Sequence, residues 1–522
     1  GAPAAGCGKL RKAGRQRVRM RIGRGLSQPQ AKSLGVAAGL GALCAAGLAP
    51  LDFWFVAVPA LSVLTLRIAR AEGAAAAWIG WAAGTGYFTA AMFWIAEPFL
   101  VDPVRYGWMA PFALVLMSAG MALFWGLAGA LAGIGRSGPQ RALGFAIGLA
   151  ATDLLRGYVL TGFPWALIGH VWIGTPVMQA AAFVGPVGLS LIATLAAALP
   201  VLSDRPRGRI ALTAVSILGV AVLWVDGAQR MGADVPPRDP AIRVRLVQPN
   251  ATQSLKWRAD MWDVFLDRQM QATALPADPA LDLIVWPETA VPWLLDRTGT
   301  LFREMTEASR GVPVALGIQR ADGQRYFNSL AVIDGTGSVT HVYDKWHLVP
   351  FGEYIPAGDL LAGIGIRAFA AREGNGYSAG PGPRVLDLGR AGRVLPLICY
   401  EAVFPQGLMT LPDRADWILQ VTNDGWFGDL SGPYQHLAQA RLRAVEQGLP
   451  LLRTANTGIT AVIDARGQVL ASLPLNTVGH LDAAAPPTLP PTLYARTGDW
   501  PATILLIGAI LALFARRRRL PD

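Results

Sequence analysis

Cysteine is scarce in this chain, with three in 522 residues: Cys7, Cys44 and Cys399. Cys7 lies in a basic arm and Cys44 in an apolar stretch. Neither is an obvious partner for Cys399, so no disulfide framework and no cysteine-based metal site are expected. Histidine is almost as sparse. Among His170, His341, His347, His436 and His480, no pair stands at a recognised metal spacing with a third ligand. The expectation is a protein without metal or cofactor. Charge is the third shortage. Charged residues make up 16% of the chain, against about 25% in an ordinary globular domain. Hydrophobic residues make up 52%, and the mean hydropathy is +0.37. That balance points to a membrane protein with a soluble part. No internal repeat is visible in the sequence.

The charge that is present is unevenly placed. Of a net +11, much comes from "KLRKAGRQRVRMRIGR" near the start and "ARRRR" at 515–519. Such runs suggest nucleic acid when they stand alone. Both adjoin long apolar segments here, so they read as cytoplasmic membrane flanks attracted to anionic lipid, and no nucleic-acid partner is expected. "PAAGC" before Cys7 resembles a lipoprotein processing site, but no apolar signal region precedes it.

A bilayer-crossing helix needs about 20 mainly apolar residues. Stretches of that kind fall near 33–49, 51–68, 73–96, 108–134, 141–160, 173–202, 209–226 and 499–515, which makes about eight spans. Arg67 and Arg70, Arg136 and Arg141, and Arg205, Arg207 and Arg209 share a side with both basic termini. The opposite loops, "EPFLVDPVRYG" and "TGFPWALIGHVW", carry one Arg and none. The positive-inside rule then places both termini in the cytoplasm and the long segment between the last two spans outside. In a bacterium this means the inner membrane with a periplasmic domain. The expected organisation is a basic arm (1–32), a membrane domain of about seven spans (33–227), an ectodomain (228–485), a Pro-rich linker (486–498), a final span (499–515) and a basic tail (516–522).

The ectodomain alternates strand and helix signals. "IRVRLVQ" (242–248), "LDLIVWPE" (281–288), "VPVALGI", "FNSLAVID", "RVLPLICY", "DWILQVTN" and "TGITAVIDA" read as strands. "LKWRADMWDVFLDRQM" (255–270) and "YQHLAQARLRAVEQG" (434–448) read as helices. The strands are near-continuous apolar runs, so an α/β domain with both sheet faces covered is expected.

Three reactive positions close or follow strands: Glu288 in "LIVWPE", Lys345 in "VYDKWHLVPFGEYIP" and Cys399 in "LPLICYE". Taken singly, each has a plain reading: a strand-end cap, a surface charge and a buried structural thiol. Taken together they describe acyl transfer. A carboxylate can accept the thiol proton, a lysine can favour the anion, and the lysine with the N–H after the cysteine can hold a tetrahedral oxyanion.

"WPETAVPW", "YDKWHLVPFGEYIP", "ICYE" and "TNDGWFG", in this order behind seven apolar segments, resemble the bacterial apolipoprotein N-acyltransferase family. The ectodomain is similar to the nitrilase superfamily. The resemblance implies a membrane α-helical bundle carrying a nitrilase-like αββα sandwich. It implies Glu288 as general base, Lys345 as the cation that stabilises the intermediate and Cys399 as the acylated nucleophile. Glu353, Tyr400, Glu401 and Asn328 match supporting positions, and Trp257 and Trp426 match aromatics that position substrate. Trp346 and His347 depart from the family pattern, in which polar or basic residues commonly follow the lysine. The implied reaction is ping-pong. An acyl chain passes from a phospholipid, phosphatidylethanolamine in particular, to Cys399, and then to the α-amine of a diacylated apolipoprotein. A monomer is expected. Apolar Leu360, Leu361 and Ile364 follow Glu353 and suggest an arm that dips into the membrane and gates acyl-chain entry. Two other readings stay open at this point: a membrane-tethered nitrilase-type amidase, and a membrane binding or transport protein with an inactive domain of this kind.

Overall fold

The computed structural model describes residues 31–356, 376–408 and 411–519. The first half is a bundle of helices: α1 (Ala31–Ala45), α2 (Trp54–Arg70), α3 (Ala74–Ala91), α4 (Ala110–Gly133), α5 (Gly138–Tyr158), α6 (Ala181–Ala198) and α7 (Pro206–Gly232). Three helical stretches, Pro103–Gly133, Pro176–Val201 and Pro206–Gly232, are long and apolar enough to cross a membrane by length and composition. Ala31–Ala45 and Trp500–Leu513 are shorter apolar helices. Small residues let the bundle close. A Cβ added at Gly129 of α4 would lie 2.3 Å from the Ala76 carbonyl oxygen of α3, so only glycine permits this backbone approach. In α5, Asp153 and Arg156 form a buried ion pair (3.1 Å). Arg156 also donates to the carbonyls of Phe163, Trp165 and Ala166, while Asp153 accepts from Ile168 N and Ser190 Oγ. The pair therefore fixes the loop that carries Trp165.

The ectodomain has two six-stranded sheets. Strands β1 (Arg243–Gln248), β2 (Leu283–Val285) and β3 (Val314–Asp322) run parallel, and β4 (Arg325–Ile333) and β5 (Val339–Asp344) continue antiparallel. The second sheet has β6 (Leu386–Asp387) antiparallel to β7 (Arg393–Ile398), then parallel β8 (Trp417–Thr422) and β9 (Leu451–Ala455), then antiparallel β10 (Thr460–Ile463) and β11 (Val469–Leu473). Strand β12 (Gly479–Ala484) returns to pair antiparallel with β1. Each sheet thus has one antiparallel edge strand, three parallel strands and two antiparallel strands. The chain does contain a repeat, then, in topology, although none is visible in the sequence. A sheet asks only for apolar runs at its inner positions, and many unrelated sequences supply them.

Val244, Leu246, Leu283 and Val285 of one sheet meet Val394, Trp417, Leu419 and Val421 of the other in a dry core. Helices α8 (Trp262–Ala274) and α9 (Leu301–Ser309) cover the first sheet, and α10 (Gly432–Gln447) covers the second. The layers are αββα. One expected helix is shorter than its sequence pattern. The span 255–270 becomes helical only from a 3-10 turn at Ala259, with α8 proper starting at Trp262. Arg258 is extended, and Lys256 turns inward instead of joining an outer helix face.

Bundle and ectodomain share one apolar cluster. Tyr400, Val403, Phe404, Leu442 and Val445 of the ectodomain pack with Trp94, Trp165, Trp172 and Met178 of the bundle. Gln435 sits at this seam, accepting from Trp165 Nε1 (2.8 Å) and Trp94 Nε1 (3.3 Å) and donating to Ala91 O. The Pro-rich stretch before the last helix is held too: Leu489 N donates to Gly448 O, and Arg414 donates to Leu489 O. It leads into α11 (Trp500–Arg519).

Candidate active site

Parallel strands end together, and polar residues placed just past their ends converge. Glu288 lies beyond β2, and its backbone is pressed against β3. A Cβ on Gly317 would come 2.5 Å from the Glu288 Cα, so glycine is required there. Its carboxylate accepts from Asn328 Nδ2 (2.7 Å) on one oxygen and from Asn423 N (2.8 Å), just beyond β8, on the other. The two sheets therefore meet at this carboxylate.

Lys345 follows β5 directly and is fully buried. Its Nζ donates to Glu353 Oε1 (2.8 Å) and lies 3.7 Å from Glu288 Oε1. Burial pulls its pKa down, but the charges of Glu353, Glu288 and Cys399 outweigh that and hold it well above the ordinary lysine range. It is a fixed cation. Glu353 is equally tied, accepting from Asn328 Nδ2 (3.2 Å) and Val349 N (2.8 Å).

Cys399 ends β7 at a φ of +51°, in the left-handed region that non-glycine residues rarely occupy. It opens a short 3-10 turn, Cys399–Val403. Burial pushes its thiol up, the Glu288 charge adds to this, and Lys345 only partly opposes it. The resting group is a thiol, which can act as a nucleophile only where a base takes its proton.

Glu401 is a structural tie. One oxygen accepts from Ile398 N (2.7 Å) and Tyr343 Oη (3.1 Å), the other from Trp346 N (2.7 Å) and His347 N (3.4 Å). It joins the cysteine turn to the lysine loop. Burial raises its pKa to about 7 against the pull of those backbone donors and Lys345. The Tyr400 ring points to the seam, 4.9 Å from Phe404 and 6.5 Å from Phe163. His347 stacks on Phe404 at 3.6 Å, a packing role.

Trp257 and Trp426 are both half-buried. Trp257 lines a small cavity with Trp262, Lys256 and Thr289, and Trp426 sits on the turn after β8. Leu360, Leu361 and Ile364 lie outside the described residues.

Two groups were missed in the sequence. Lys256, inside the "SLKW" that was singled out for its tryptophan, donates to Glu288 O (3.1 Å) and Thr289 Oγ1 (2.7 Å). Burial lowers its pKa to about 8, against the opposing charges of Glu288 and Cys399. The second is a buried cluster of Gln420, Asp424, His436 and Arg453 beside the Cys399 carbonyl. Among the described residues no group of His, Cys, Asp or Glu could hold a metal ion.

Comparison with known proteins places this geometry in context. Residues 243–488 match the carbon-nitrogen hydrolase family, and residues 40–199 match the apolipoprotein N-acyltransferase N-terminal domain. A protein of Rhodopseudomonas palustris named apolipoprotein N-acyltransferase is 37% identical over 504 residues, covering 92% of this chain and 94% of its own. One of that name from Caulobacter vibrioides is 40% identical over 455 residues, covering 83% and 85%. A third, from Brucella melitensis, is 39% identical over 469 residues, covering 85% and 87%. With both domains matched and its relatives aligned along most of their length, the chain belongs to the apolipoprotein N-acyltransferase family.

Proposed function

We propose that this chain N-acylates lipoproteins in two half-reactions through a thioester on Cys399. The observation that carries the reading is the buried meeting of Lys345 with Glu288 and Glu353, beside a cysteine whose thiol feels both Lys345 and Glu288.

In the first half-reaction Cys399 Sγ attacks the carbonyl carbon of a phospholipid ester while Glu288 takes the thiol proton. The oxyanion is held by the Lys345 ammonium and the Tyr400 N–H. The ester C–O bond breaks, Glu288 returns the proton to the leaving alcohol, and a lysophospholipid departs. In the second, the α-amine of a diacylglyceryl-cysteine attacks the thioester. Glu288 takes the amine proton, the C–S bond breaks, and the thiol re-forms. Lys345 keeps its charge throughout, which suits an electrostatic partner and not a proton donor. Glu353 and Asn328 hold Lys345 and Glu288 in register.

Both substrates are lipids, so the site belongs at a bilayer surface. About eight spans, cytoplasmic termini and a periplasmic ectodomain on the bacterial inner membrane fit the charge asymmetry of the loops. Phosphatidylethanolamine is the proposed donor. The test is incubation of the purified protein with labelled phosphatidylethanolamine and a diacylated lipopeptide. The expected products are a thioester on Cys399 and an amide on the peptide, both lost in Cys399→Ala. Hydrolysis to free fatty acid with no transfer to the peptide would instead identify a water-using amidase-like enzyme.

A further inference from the structure

Four buried polar side chains stand beside Cys399 without a part in the steps above. Gln420, His436 and Arg453 are 0% exposed and Asp424 is 1% exposed. Arg453 Nη2 donates to Asp424 Oδ2. Asp424 Oδ1 accepts from Thr422 Oγ1 (3.0 Å) and contacts His436 Nδ1 (2.8 Å). His436 Nε2 lies 3.2 Å from Gln420 Nε2, and Gln420 Nε2 lies 3.2 Å from the Cys399 carbonyl oxygen. The His436 nitrogen is itself 3.1 Å from that oxygen.

One proton arrangement runs an unbroken line of hydrogen bonds from Arg453 to the Cys399 carbonyl. Despite burial, Arg453 and His436 keep Asp424 low, at about 2, so it is an acceptor. Burial, and then Arg453, hold His436 below its usual range, so its ring is neutral. Its single N–H sits on Nδ1 and faces Asp424. Its Nε2 then accepts one amide hydrogen of Gln420, and the second hydrogen goes to the Cys399 carbonyl. Along this path each hydrogen bond has one donor and one acceptor; the approaches of His436 Nε2 to the Cys399 oxygen (3.1 Å) and of Arg453 Nη2 to His436 Nδ1 (3.3 Å) carry no hydrogen bond, and Gln420 Oε1 has no partner among the described residues.

The Cys399 carbonyl and the Tyr400 N–H belong to the same peptide unit. That unit is planar and trans, so its C=O and N–H point in opposite directions. Whatever grips the carbonyl also aims the N–H. We propose that Arg453, Asp424, His436 and Gln420 form a positioning relay that locks the Cys399–Tyr400 peptide so that the Tyr400 N–H faces the oxyanion. The inference rests on the reading of Cys399 as the acylated nucleophile. It also accounts for the φ of +51° at Cys399, since such a conformation persists only where its surroundings over-determine it. The relay is seated by aromatics: the His436 ring lies 5.6 Å from Trp165 of the bundle and 5.5 Å from Phe427.

The relay predicts a split between two reactions of one thiol. Acylation by an ester builds an oxyanion. Alkylation by iodoacetamide displaces halide at a saturated carbon and builds none. Full-length Gln420→Met keeps the side-chain length and leaves the Asp424–Arg453 pair intact, and His436→Gln gives a second perturbation. Both should slow acyl-enzyme formation from phosphatidylethanolamine by about 100-fold, the scale of losing one oxyanion donor. The KM for the lipid and the rate of Cys399 alkylation should stay at the values of the unaltered protein. Equal losses in acylation and alkylation would assign the relay to folding or to thiol reactivity and overturn the proposal. Unchanged acylation would overturn it too. If the unaltered protein alkylates but forms no acyl-enzyme, the reading of Cys399 falls first, and the relay with it.

Discussion

At the scale of single residues, hydrogen-bond direction separates groups that look alike in sequence. Glu401 accepts from four donors, so an amide in its place must aim its NH2 at other donors. Glu401→Gln should cost about 2 kcal/mol, seen as a lower thermal midpoint, with activity not restored by cooling. Lys256 offers a pH test. Its folded pKa, about 8, is below the ordinary lysine value of 10.5. Between those values the unfolded chain binds more proton, so the cost of burying Lys256 fades as pH rises through that window. Thermal midpoints of the unaltered protein and Lys256→Met, compared at pH 7 and pH 9.5, should move in favour of the lysine form at the higher pH. A gap that is the same at both values would show that Lys256 does not titrate in this range.

Secondary-structure elements bring the chemistry together, and here the sequence was readable to different depths. The strand carrying Cys399 and the helix at 434–448 were plain because long apolar or periodic runs announce them. Strand β2 kept only three residues of an eight-residue pattern, because beyond Val285 the chain bends to deliver Glu288. Strands β6, β9, β11 and β12 were not foreseen, and β5 was foreseen only as the strand that Lys345 follows. Those at the sheet edges are short or half-exposed and lack a strong apolar signature. Lys256 escaped notice because a lysine in an amphipathic pattern reads as solvated. That it turns inward depends on Glu288 and Thr289, more than thirty residues away. His436 and Arg453 were hidden for the same reason. The clearest element-level test is Gly317→Ala. The new methyl would force β3 away from the Glu288 backbone, at a cost of about 1–3 kcal/mol. It should slow acylation and alkylation of Cys399 together, because both reactions of a resting thiol need the proposed base that it moves. Rates unchanged from the unaltered protein in both reactions would show that the strands adjust.

The whole molecule is two halves sealed by one apolar cluster. Cut from the bundle, the ectodomain would expose Tyr400, Val403, Phe404, Leu442 and Val445. A chain of residues 233–485 alone should therefore aggregate in detergent-free buffer, as light scattering would show, and form no acyl-enzyme. Orientation has its own test. A membrane-impermeant thiol reagent should label Thr336→Cys, in an exposed ectodomain turn, in intact spheroplasts. Ser203→Cys, beside the Arg205 loop, should be labelled only after the membrane is opened. Both variants are made with Cys7 replaced by Ser, and the buried Cys44 and Cys399 then add little background. The reverse pattern would invert the proposed topology.

Tyr400 is bonded to Cys399, the proposed nucleophile, on one side and wedged between the two halves on the other. That arrangement works as a lever. If a lipid pried the ectodomain from the bundle to reach Cys399, the Tyr400 ring would be drawn with it and the nucleophile's own peptide would turn out of line. If Cys399 is acylated as proposed, long acyl chains therefore have to pass beside the seam while the seam stays shut. On the proposed function, loading the enzyme would be a matter of threading a chain past this packed joint.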